Sequence, residues 1–530
     1  MSILTERVEC KELLDKLMPV EEAVKFVADR CKIAISGFTK TGEPKIFLPA
    51  LARYLAQYAP KTKIGLFSGA SLSEDVEDPI ASFVGKRGPY MSSNVARKMI
   101  NAGEMDFADV HLSAFARNLL YGFYGGIDLA VVEVSRIRPD GSVILSSSVG
   151  ISAEALTLAK RIILEVNPAI PDYTGFHDIA LPSVHPRVGW PIPIVNVADR
   201  VGNPYVQIDK SKVAAIIESD KPDYPVNFKP TSETDRRIAE NVIDFLMYAH
   251  KTFNWGKRLP PIQSGVGNVA NAIVGELYRS PFQKIRFWTE VFQDGMMRYV
   301  EDDDKFESAS ATALSFSEAG RNEFMRLFKR CREKVVLRPM WLSNNAELIT
   351  RLFVIAMNTP IEVDIYGHVN STHVDGSRVV NGLGGSGDFF RHAYLSIVHT
   401  PSVRRLRDGR FVSCVMPYVR HIDHTEHDIN CVVTEQGFAL NTEIRSARHR
   451  AEDIINKCAH PHFRPVLRDY LRLAGEGDEP RPTSINLLNS WWNDYDAACQ
   501  SFPGRSTADR EVETKRELRD WETETLRYWW

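Results

Sequence analysis

The stretch IDLAVVEV, residues 127–134, is largely apolar on both faces of an extended chain. A strand with one solvated face alternates apolar with polar side chains, so this pattern predicts a strand covered by helices on both sides of a mostly parallel sheet. Similar short runs, separated by helical stretches, are KIAISGF (32–38), KIGLF (63–67), VHLSAF (110–115), SVILSSSVG (142–150), RIILEVN (161–167), IPIVNV (192–197) and VAAIIES (213–219). They predict an N-terminal α/β domain.

A polar, proline-bearing stretch, SDKPDYPVNFKPTSETD (219–235), interrupts this alternation. Prolines cannot donate ladder hydrogen bonds, so the stretch is typical of a linker, and we place a domain boundary near residue 222. A second series of helical and strand-like runs follows, including RRIAENVIDFLMYAHKT, NVANAIVGEL, VVLRP, PIEVDIYG, RFVSCVMPYV and INCVVTEQG. The predicted domains are residues 1–222 and 223–475, both α/β with mostly parallel sheets, followed by a tryptophan-rich extension over 476–530.

Composition narrows the class of protein. A chain of 530 residues suits two domains, and 44% hydrophobic with 25% charged residues is average for a globular protein. The net charge of −3 argues against a nucleic-acid partner. No apolar run approaches the ~20 residues of a membrane-spanning helix, and the N-terminal residues have neither a secretory nor a transit pattern. The seven scattered cysteines include no C-x-x-C pair and are typical of reduced thiols. We therefore expect a cytoplasmic protein without a membrane partner.

The C-terminal extension holds five of the nine tryptophans, Trp491, Trp492, Trp521, Trp529 and Trp530, within a charge-dense sequence of high helix propensity. Two interpretations stay open. The extension is either a terminal helix that docks on the protein or frays, or a helix that binds a partner.

A glutamate within a strand-like run is the first candidate for chemistry. Glu290 interrupts IRFWTEVF, and most glutamates in an alternating strand simply face solvent. Two glycine-rich segments, QSGVGN (263–268) and NGLGGSGDF (381–389), can bring backbone N–H groups to an anion. A carboxylate can attack an activated carbonyl and carry the acyl group as an anhydride. One N–H donor at the developing oxyanion contributes roughly 3 kcal/mol in other enzymes.

Two further motifs suggest sites that their context disfavours. GLGGSG (382–387) satisfies the dinucleotide pattern G-x-G-x-x-G, but it does not open the first strand-to-helix turn of a βαβ unit. In HIDHTEHD, His421, His424 and His427 with Asp423 and Glu426 offer metal ligands. Three-residue spacing places side chains on one face only in a helix, whereas this segment lies between strand-like runs. A polar loop without a metal is the preferred interpretation.

These residues occur in a sequence that resembles the acetyl-CoA hydrolase/transferase branch of the class I coenzyme A transferases. The resemblance runs from about residue 30 to about residue 470. It is carried by SGFTKTGEPK (36–45), QSGVGNVANA (263–272), TEVFQDGM (289–296), SNN (343–345), DIYGHVNSTHV (364–374), NGLGGSGDF, HIDHTEHD and TEQG (434–437). The extension after residue 470 departs from the family pattern.

The resemblance implies that Glu290 is the catalytic nucleophile. It implies backbone oxyanion donors at Val266 and at Gly384 or Gly385, and a coenzyme A and acyl pocket lined by Gly265, Val266, Gly267, Asn268, Val269, Asn344, Gly384, Gly385, Gly387 and Asp388. It also implies that His421, His424 and Glu435 order the site, that no cofactor or metal is needed beyond coenzyme A as substrate, and that a homodimer carries its active site between two α/β domains.

Three functions follow as hypotheses. The first is a CoA-transferase that moves coenzyme A between a short-chain acyl-CoA, such as acetyl-CoA or succinyl-CoA, and a carboxylate such as acetate or succinate. The second is an acetyl-CoA hydrolase, in which water replaces the acceptor acid. The third is a non-catalytic protein that binds coenzyme A or assembles with a partner. The acyl chain stays undetermined because one methylene is worth only ~1–3 kcal/mol in selectivity.

Overall fold

The computed structural model describes residues 6–183, 189, 191–256, 258–374, 376–406, 408–441, 446–475 and 485–503. The chain forms two compact units: unit 1 contains Met1–Asn227, Arg286–Leu352 and Val379–His392, and unit 2 contains Phe228–Ile285, Phe353–Arg378 and Ala393–Trp530. The units divide the chain differently from a single boundary near residue 222, because two segments beyond it, one of them carrying Glu290, belong to unit 1. The predicted domain limits stay a prediction.

Unit 1 is built on a sheet of seven parallel strands and one antiparallel strand. In spatial order the parallel strands are Asp106–Phe107, Val84–Gly88, Ile64–Phe67, Lys32–Ile35, Leu129–Ile137, Arg161–Val166 and Val213–Glu218. Val143–Leu145 pairs antiparallel with the central strand Leu129–Ile137. Eight of the nine residues in that central strand are buried, because helices cover both faces of a parallel sheet.

Unit 1 contains further strands in its second segment. Phe306–Ala311 pairs parallel with Val335–Leu337, and Val291–Gln293 pairs parallel with Ala313–Ser315. The strand Ile285–Trp288 neighbours Phe306–Ala311. The helices of unit 1 are Val20–Ala23, Phe47–Tyr58, Glu74–Glu77, Asn94–Asn101, Leu112–Leu120, Ser152–Leu158, Asp294–Val300, Glu318–Arg326, Phe328–Lys334, Met340–Ser343, Ala346–Arg351 and Ser386–His392, with 3-10 turns at Lys11–Lys16, Val24–Phe26, Ala81–Phe83 and Lys210–Lys212.

Two predicted strands of unit 1 are wrong. VHLSAF (110–115) leads into the helix Leu112–Leu120, whose buried residues Leu112, Phe115, Ala116 and Leu119 follow the spacing of one helix face. IPIVNV (192–197) forms no strand. Pro191 and Pro193 lack the N–H that a ladder needs, and the Asp199 carboxylate accepts hydrogen bonds from Val195 N at 2.8 Å and Asn196 N at 2.7 Å.

Unit 2 also contains parallel strands. Its parallel strands are Ile262–Ser264, Ile355–Asn358, Leu395–His399 and Cys431–Thr434, and Gly437–Leu440 closes the edge antiparallel. Short strands lie at Glu362–Asp364, Val369–Asn370, His373–Val374, Arg378–Val379, Val403–Arg405, Phe411–Ser413 and Val415–Met416. The helices are Glu233–Phe253, Asn268–Arg279, Ala447–Lys457, Arg464–Leu473 and Ile485–Gln500, with a 3-10 turn at Glu426–Asp428.

The C-terminal extension contributes its helix Ile485–Gln500 to unit 2. Trp491 is 1% exposed, and its Nε1 donates to Val466 O at 2.7 Å. Tyr495 is buried as well, and its hydroxyl accepts from Ser413 N at 3.2 Å. This part of the extension is therefore docked, as the first interpretation predicted. Trp521, Trp529 and Trp530 lie outside the described residues.

The predicted fold class, α/β with mostly parallel sheets, is confirmed by these two units. All seven cysteines are buried free thiols. Among the described residues, no helix combines the length and the apolar character that crossing a bilayer requires.

Candidate active site

Glu290 lies in the break between two strands. The strand Ile285–Trp288 ends before it and Val291–Gln293 begins after it, and the two strands belong to different sheets. The Glu290 carbonyl accepts from Thr312 N at 2.8 Å and from Ala313 N at 3.0 Å. The chain changes sheets at this residue, so the alternation of a continuous strand does not apply, and the backbone is held by two hydrogen bonds.

The Asn344 amide joins Glu290 to a second carboxylate. Asn344 Nδ2 lies 2.9 Å from Glu290 Oε1 and 3.2 Å from Asp388 Oδ2. Asn344 has no exposed surface, and it follows the short helix Met340–Ser343. One amide therefore holds two acidic side chains that come from distant parts of the sequence.

Asp388 is fixed from its other side by the helix Leu112–Leu120. Ser113 donates twice, from its backbone N to Asp388 Oδ2 at 3.0 Å and from Oγ to Asp388 Oδ1 at 2.5 Å. Asp388 itself lies in the first turn of the helix Ser386–His392. Its carboxylate thus meets the N-terminal turn of a neighbouring helix, where N–H groups and the helix dipole favour negative charge.

Burial changes the acidity of both carboxyl groups. Burial raises the pKa of Glu290 to about 7; the Asn344 hydrogen bond opposes this shift and the negative Asp388 adds to it. Burial also raises the pKa of Asp388 to about 6, against the hydrogen bonds from Ser113 and Asn344. A carboxyl group with a pKa near neutrality suits acid, base or nucleophilic chemistry.

Gly385 lies directly against the Glu290 carboxylate. A Cβ added at Gly385 would stand 2.0 Å from Glu290 Oε1 and 2.3 Å from Asn344 Nδ2, which is closer than van der Waals contact permits. Gly384 has φ +64°, in the left-handed region that favours glycine. The loop NGLGGSGDF therefore brings bare backbone to Glu290, and its Gly387 is buried in the following helix.

Three side chains close to Gly384 or Asp388 are not predicted from the sequence. Tyr90 lies against Gly384, accepts a hydrogen bond from Asn381 Nδ2 at 3.2 Å, and has a raised pKa through burial, with a further contribution from Glu290. His111 Nδ1 lies 3.9 Å from Asp388 Oδ1. Ser113 was missed because its segment was interpreted as a strand. No local motif marks these side chains, which only the fold brings to Asp388 and Gly384.

The second glycine loop belongs to unit 2. Val266 is 43% exposed, and Gly267, with φ +132°, immediately precedes the helix Asn268–Arg279, which includes Val269. Gly265 N donates to Met357 O at 3.0 Å, and Asn268 Oδ1 accepts from Lys229 N at 3.2 Å. The role predicted for this loop in the active site stays a prediction. The same holds for the predicted location of the site between two domains.

The histidine-rich segment also lies in unit 2. His421 stacks on His373 with ring centroids 3.7 Å apart and contacts Asp423 at 3.2 Å, while His424 is buried. Glu435 is buried and accepts from Ser402 N at 2.8 Å. Within the described residues, no group of three or more histidine, cysteine, aspartate or glutamate side chains is arranged to hold a metal ion.

Sequence profiles of one family match both halves of the chain. Residues 1–218 match the acetyl-CoA hydrolase/transferase N-terminal domain, and residues 320–471 match the acetyl-CoA hydrolase/transferase C-terminal domain. The two matches together cover more than half of the chain.

Individual proteins extend the comparison. The chain is 41% identical over 501 residues to an acetyl-CoA hydrolase of Schizosaccharomyces pombe, covering 90% of this chain and 95% of that protein. The crystal structure of RipA from Yersinia pestis has a TM-score of 0.66 at 22% identity, over 88% of this chain and 98% of RipA. A 4-hydroxybutyrate CoA-transferase from Porphyromonas gingivalis has a TM-score of 0.59 at 20% identity, over 86% and 97%. The two structures establish a shared fold.

Proposed function

Because the chain belongs to the acetyl-CoA hydrolase/transferase family, we propose that it takes acetyl-CoA as its donor substrate, with Glu290 as nucleophile and water as the final acceptor. The observation that carries this proposal is the Glu290 carboxylate itself, held by Asn344 and lying against the bare backbone of Gly385. The curated relative named above is an acetyl-CoA hydrolase, which favours water over an acid as acceptor.

The proposed reaction begins with attack of the Glu290 carboxylate on the thioester carbonyl. This forms an acetyl-glutamyl anhydride and releases the coenzyme A thiolate. The thiolate then attacks the glutamyl carbonyl, which releases acetate and leaves a glutamyl-CoA thioester. Water attacks that thioester, regenerates the carboxyl group and releases coenzyme A as the thiol. Each step develops negative charge on a carbonyl oxygen that needs N–H donors.

The proposed donors are the backbone N–H groups of Val266 and of Gly384 or Gly385. The neighbouring Gly265, Gly267, Asn268, Val269, Asn344, Gly387 and Asp388 are proposed to line the coenzyme A and acyl pocket. Asn344 supports this role because its Nδ2 already contacts the nucleophile. We retain the homodimer and the absence of any cofactor besides coenzyme A as parts of the proposal.

Transfer of coenzyme A to a carboxylate is the second candidate function. The use of a carboxylate as nucleophile favours it, because a glutamyl-CoA thioester conserves the energy of the donor thioester. In transfer, an acid such as acetate or succinate attacks the glutamyl-CoA thioester in place of water. The returning thiolate then makes the new acyl-CoA.

Covalent trapping tests the role of Glu290. After exposure to acetyl-CoA, borohydride or hydroxylamine should inactivate the enzyme, and mass spectrometry should place the modification on residue 290. Glu290→Gln should lower kcat at least about 10³-fold, because an amide is a poor nucleophile. Glu318→Gln, at an exposed glutamate of the same unit, should retain full activity. Unimpaired turnover by Glu290→Gln would refute Glu290 as the nucleophile, whereas a wild type that releases no coenzyme A from acetyl-CoA would favour the non-catalytic hypothesis.

Release of coenzyme A from acetyl-CoA separates the two acceptors. For a hydrolase, the rate of thiol appearance should be the same with and without added succinate, and no succinyl-CoA should form. Succinyl-CoA accumulating at a rate above that of thiol release would instead establish transfer.

A further inference from the structure

A cavity of unit 1 is lined by none of the residues that contact Glu290. Its volume is about 400 Å³, which lies within the usual range of about 300–1,000 Å³ for small-molecule sites. Its walls come from the segments around Thr41, Ser147 and Tyr173, from the linker at Pro222–Pro225, and from residues 314–325. Met325, half exposed, lines its wall.

The acidic group in this cavity already has partners, and its ion-pair partner Lys45 also contacts the buried Glu133. Asp223 accepts hydrogen bonds from Gly42 N at 3.0 Å and Ser147 Oγ at 2.5 Å, and its Oδ1 lies 2.9 Å from Lys45 Nζ. Thr41 Oγ1 in turn lies 2.8 Å from Ser147 Oγ. The Asp223 carboxylate is therefore not available as the main partner of a ligand. Its hydrogen bonds fix Gly42 and Ser147 at the cavity wall.

Two other polar side chains of the cavity can donate to a ligand. Tyr173 lines the cavity and is only 4% exposed. Its backbone N donates to Ser135 Oγ at 3.3 Å, whereas its hydroxyl has no hydrogen-bond partner among the described residues. Arg321 donates Nη1 to Asp223 O at 3.2 Å and makes no ion pair within the described part of the chain. Both side chains line the cavity, so an acceptor on a ligand would give their donors a direct hydrogen-bond partner.

Aromatic rings form the facing wall. Phe316 stacks on Phe324 with centroids 5.2 Å apart, and Phe324 stacks on Tyr173 at 6.3 Å. A guanidinium group favours a planar carboxylate, and stacked rings favour a compact apolar body. We propose that this cavity binds a small carboxylate with an aromatic or branched apolar body, its anionic end on Arg321 and the Tyr173 hydroxyl.

Titration calorimetry of the full chain with phenylacetate tests the proposal. Phenylacetate should bind, and the matched amide, phenylacetamide, should bind at least about tenfold more weakly because it lacks the charge. Arg321→Gln should weaken phenylacetate binding by about tenfold or more, and Tyr173→Phe by a smaller factor. Arg326→Gln, on the same helix but exposed and paired with Glu301 and Glu323, should bind like the wild type.

The Glu290→Gln variant distinguishes this cavity from the glutamate site. Phenylacetate binding should persist in that variant, whether or not acetyl-CoA is the substrate. Binding that is lost in Glu290→Gln but kept in Arg321→Gln would place the acid at Glu290 and overturn the proposal. Absence of binding to the wild type, or equal binding of acid and amide, would overturn it as well. Tyr173→Phe should melt no lower than the wild type, because its hydroxyl has no partner to lose.

Discussion

The charge on Glu290 is set by burial and by two neighbours, Asn344 and Asp388. Desolvation and the carboxylate of Asp388 favour the protonated form, whereas the hydrogen bond from Asn344 favours the ionised form. Because the ionised form is the nucleophile, the proposed acylation step should follow the ionisation of this one group. Single substitutions of Asn344 and Asp388 separate the effects of the two neighbours.

The value of kcat/KM for acetyl-CoA should rise with pH, with a midpoint at about 7 set by the pKa of Glu290. Asn344→Ala removes a donor to the carboxylate, so its midpoint should move to higher pH. Asp388→Asn removes a negative neighbour, so its midpoint should move to lower pH. Rate profiles from pH 5 to pH 9 measure both shifts. Midpoints that move in the same direction in both variants would refute this assignment.

Gly385→Ala tests the close approach of backbone to the nucleophile. The added methyl group would stand 2.0 Å from Glu290 Oε1, so the carboxylate must move, and kcat should fall by about 10² or more. Gly275→Ala is the matched control, since a Cβ there meets nothing within 4 Å and the residue lies inside the helix Asn268–Arg279. Steady-state kinetics and thermal melting of the two variants measure the loss of kcat and any loss of stability. A wild-type kcat in Gly385→Ala would contradict the close approach of this residue to Glu290.

At the scale of an element, the helix Ser152–Leu158 carries a buried acid. Glu154 has no exposed surface, and neither carboxyl oxygen has a hydrogen-bond partner on another described residue. Burial therefore raises the pKa of Glu154 to about 8. The folded protein holds a proton here that the unfolded chain releases above about pH 4.5, so the free energy of unfolding falls as pH rises from there to about 8.

Glu154→Gln should remove this pH dependence, because glutamine is neutral at every pH. The stability of the variant relative to the wild type should increase by about 2–4 kcal/mol between pH 5 and pH 8. Urea unfolding at both pH values measures the difference. The exposed Glu104→Gln should show no such trend, and a constant offset for Glu154→Gln across pH would disprove the proposed ionisation.

At the scale of the whole molecule, each unit combines segments that are distant in sequence. Unit 2 includes the helix Ile485–Gln500, in which Trp491 stacks on Tyr495. Just after the helix, Phe502 stacks on Phe463. These rings belong to the hydrophobic interior of unit 2, so the described part of the extension stabilises the fold.

Trp491→Ala should lower the free energy of unfolding by about 3–5 kcal/mol, the usual cost of truncating a buried large side chain. Chemical denaturation measures the loss, and Asn493→Ala on the exposed side of the same helix serves as the control. An unchanged unfolding midpoint for Trp491→Ala would mean that the helix contributes nothing to unit 2.

The sequence by itself determined the elements whose cause is local. Apolar runs such as 127–134 predicted buried parallel strands, because burial on both faces requires apolar side chains throughout. Glu290 and the loop 381–389 are candidates from the sequence because glycine-rich segments can bring backbone N–H groups to an anion, and a carboxylate can act as a nucleophile. The structure places Gly385 against Glu290, and the catalytic roles of both residues stay predictions.

Only the tertiary structure decided which side chains meet. Ser113 was not identified because residues 110–115 were predicted to form a strand. Its two hydrogen bonds to Asp388 depend on its place in the first turn of the helix Leu112–Leu120. The unpartnered hydroxyl of Tyr173 and the free donors of Arg321 have no local signal, because a missing partner is a property of packing. Sequence periodicity reports which face of an element is buried, whereas the identity of its neighbours depends on chain crossings that join residues hundreds of positions apart.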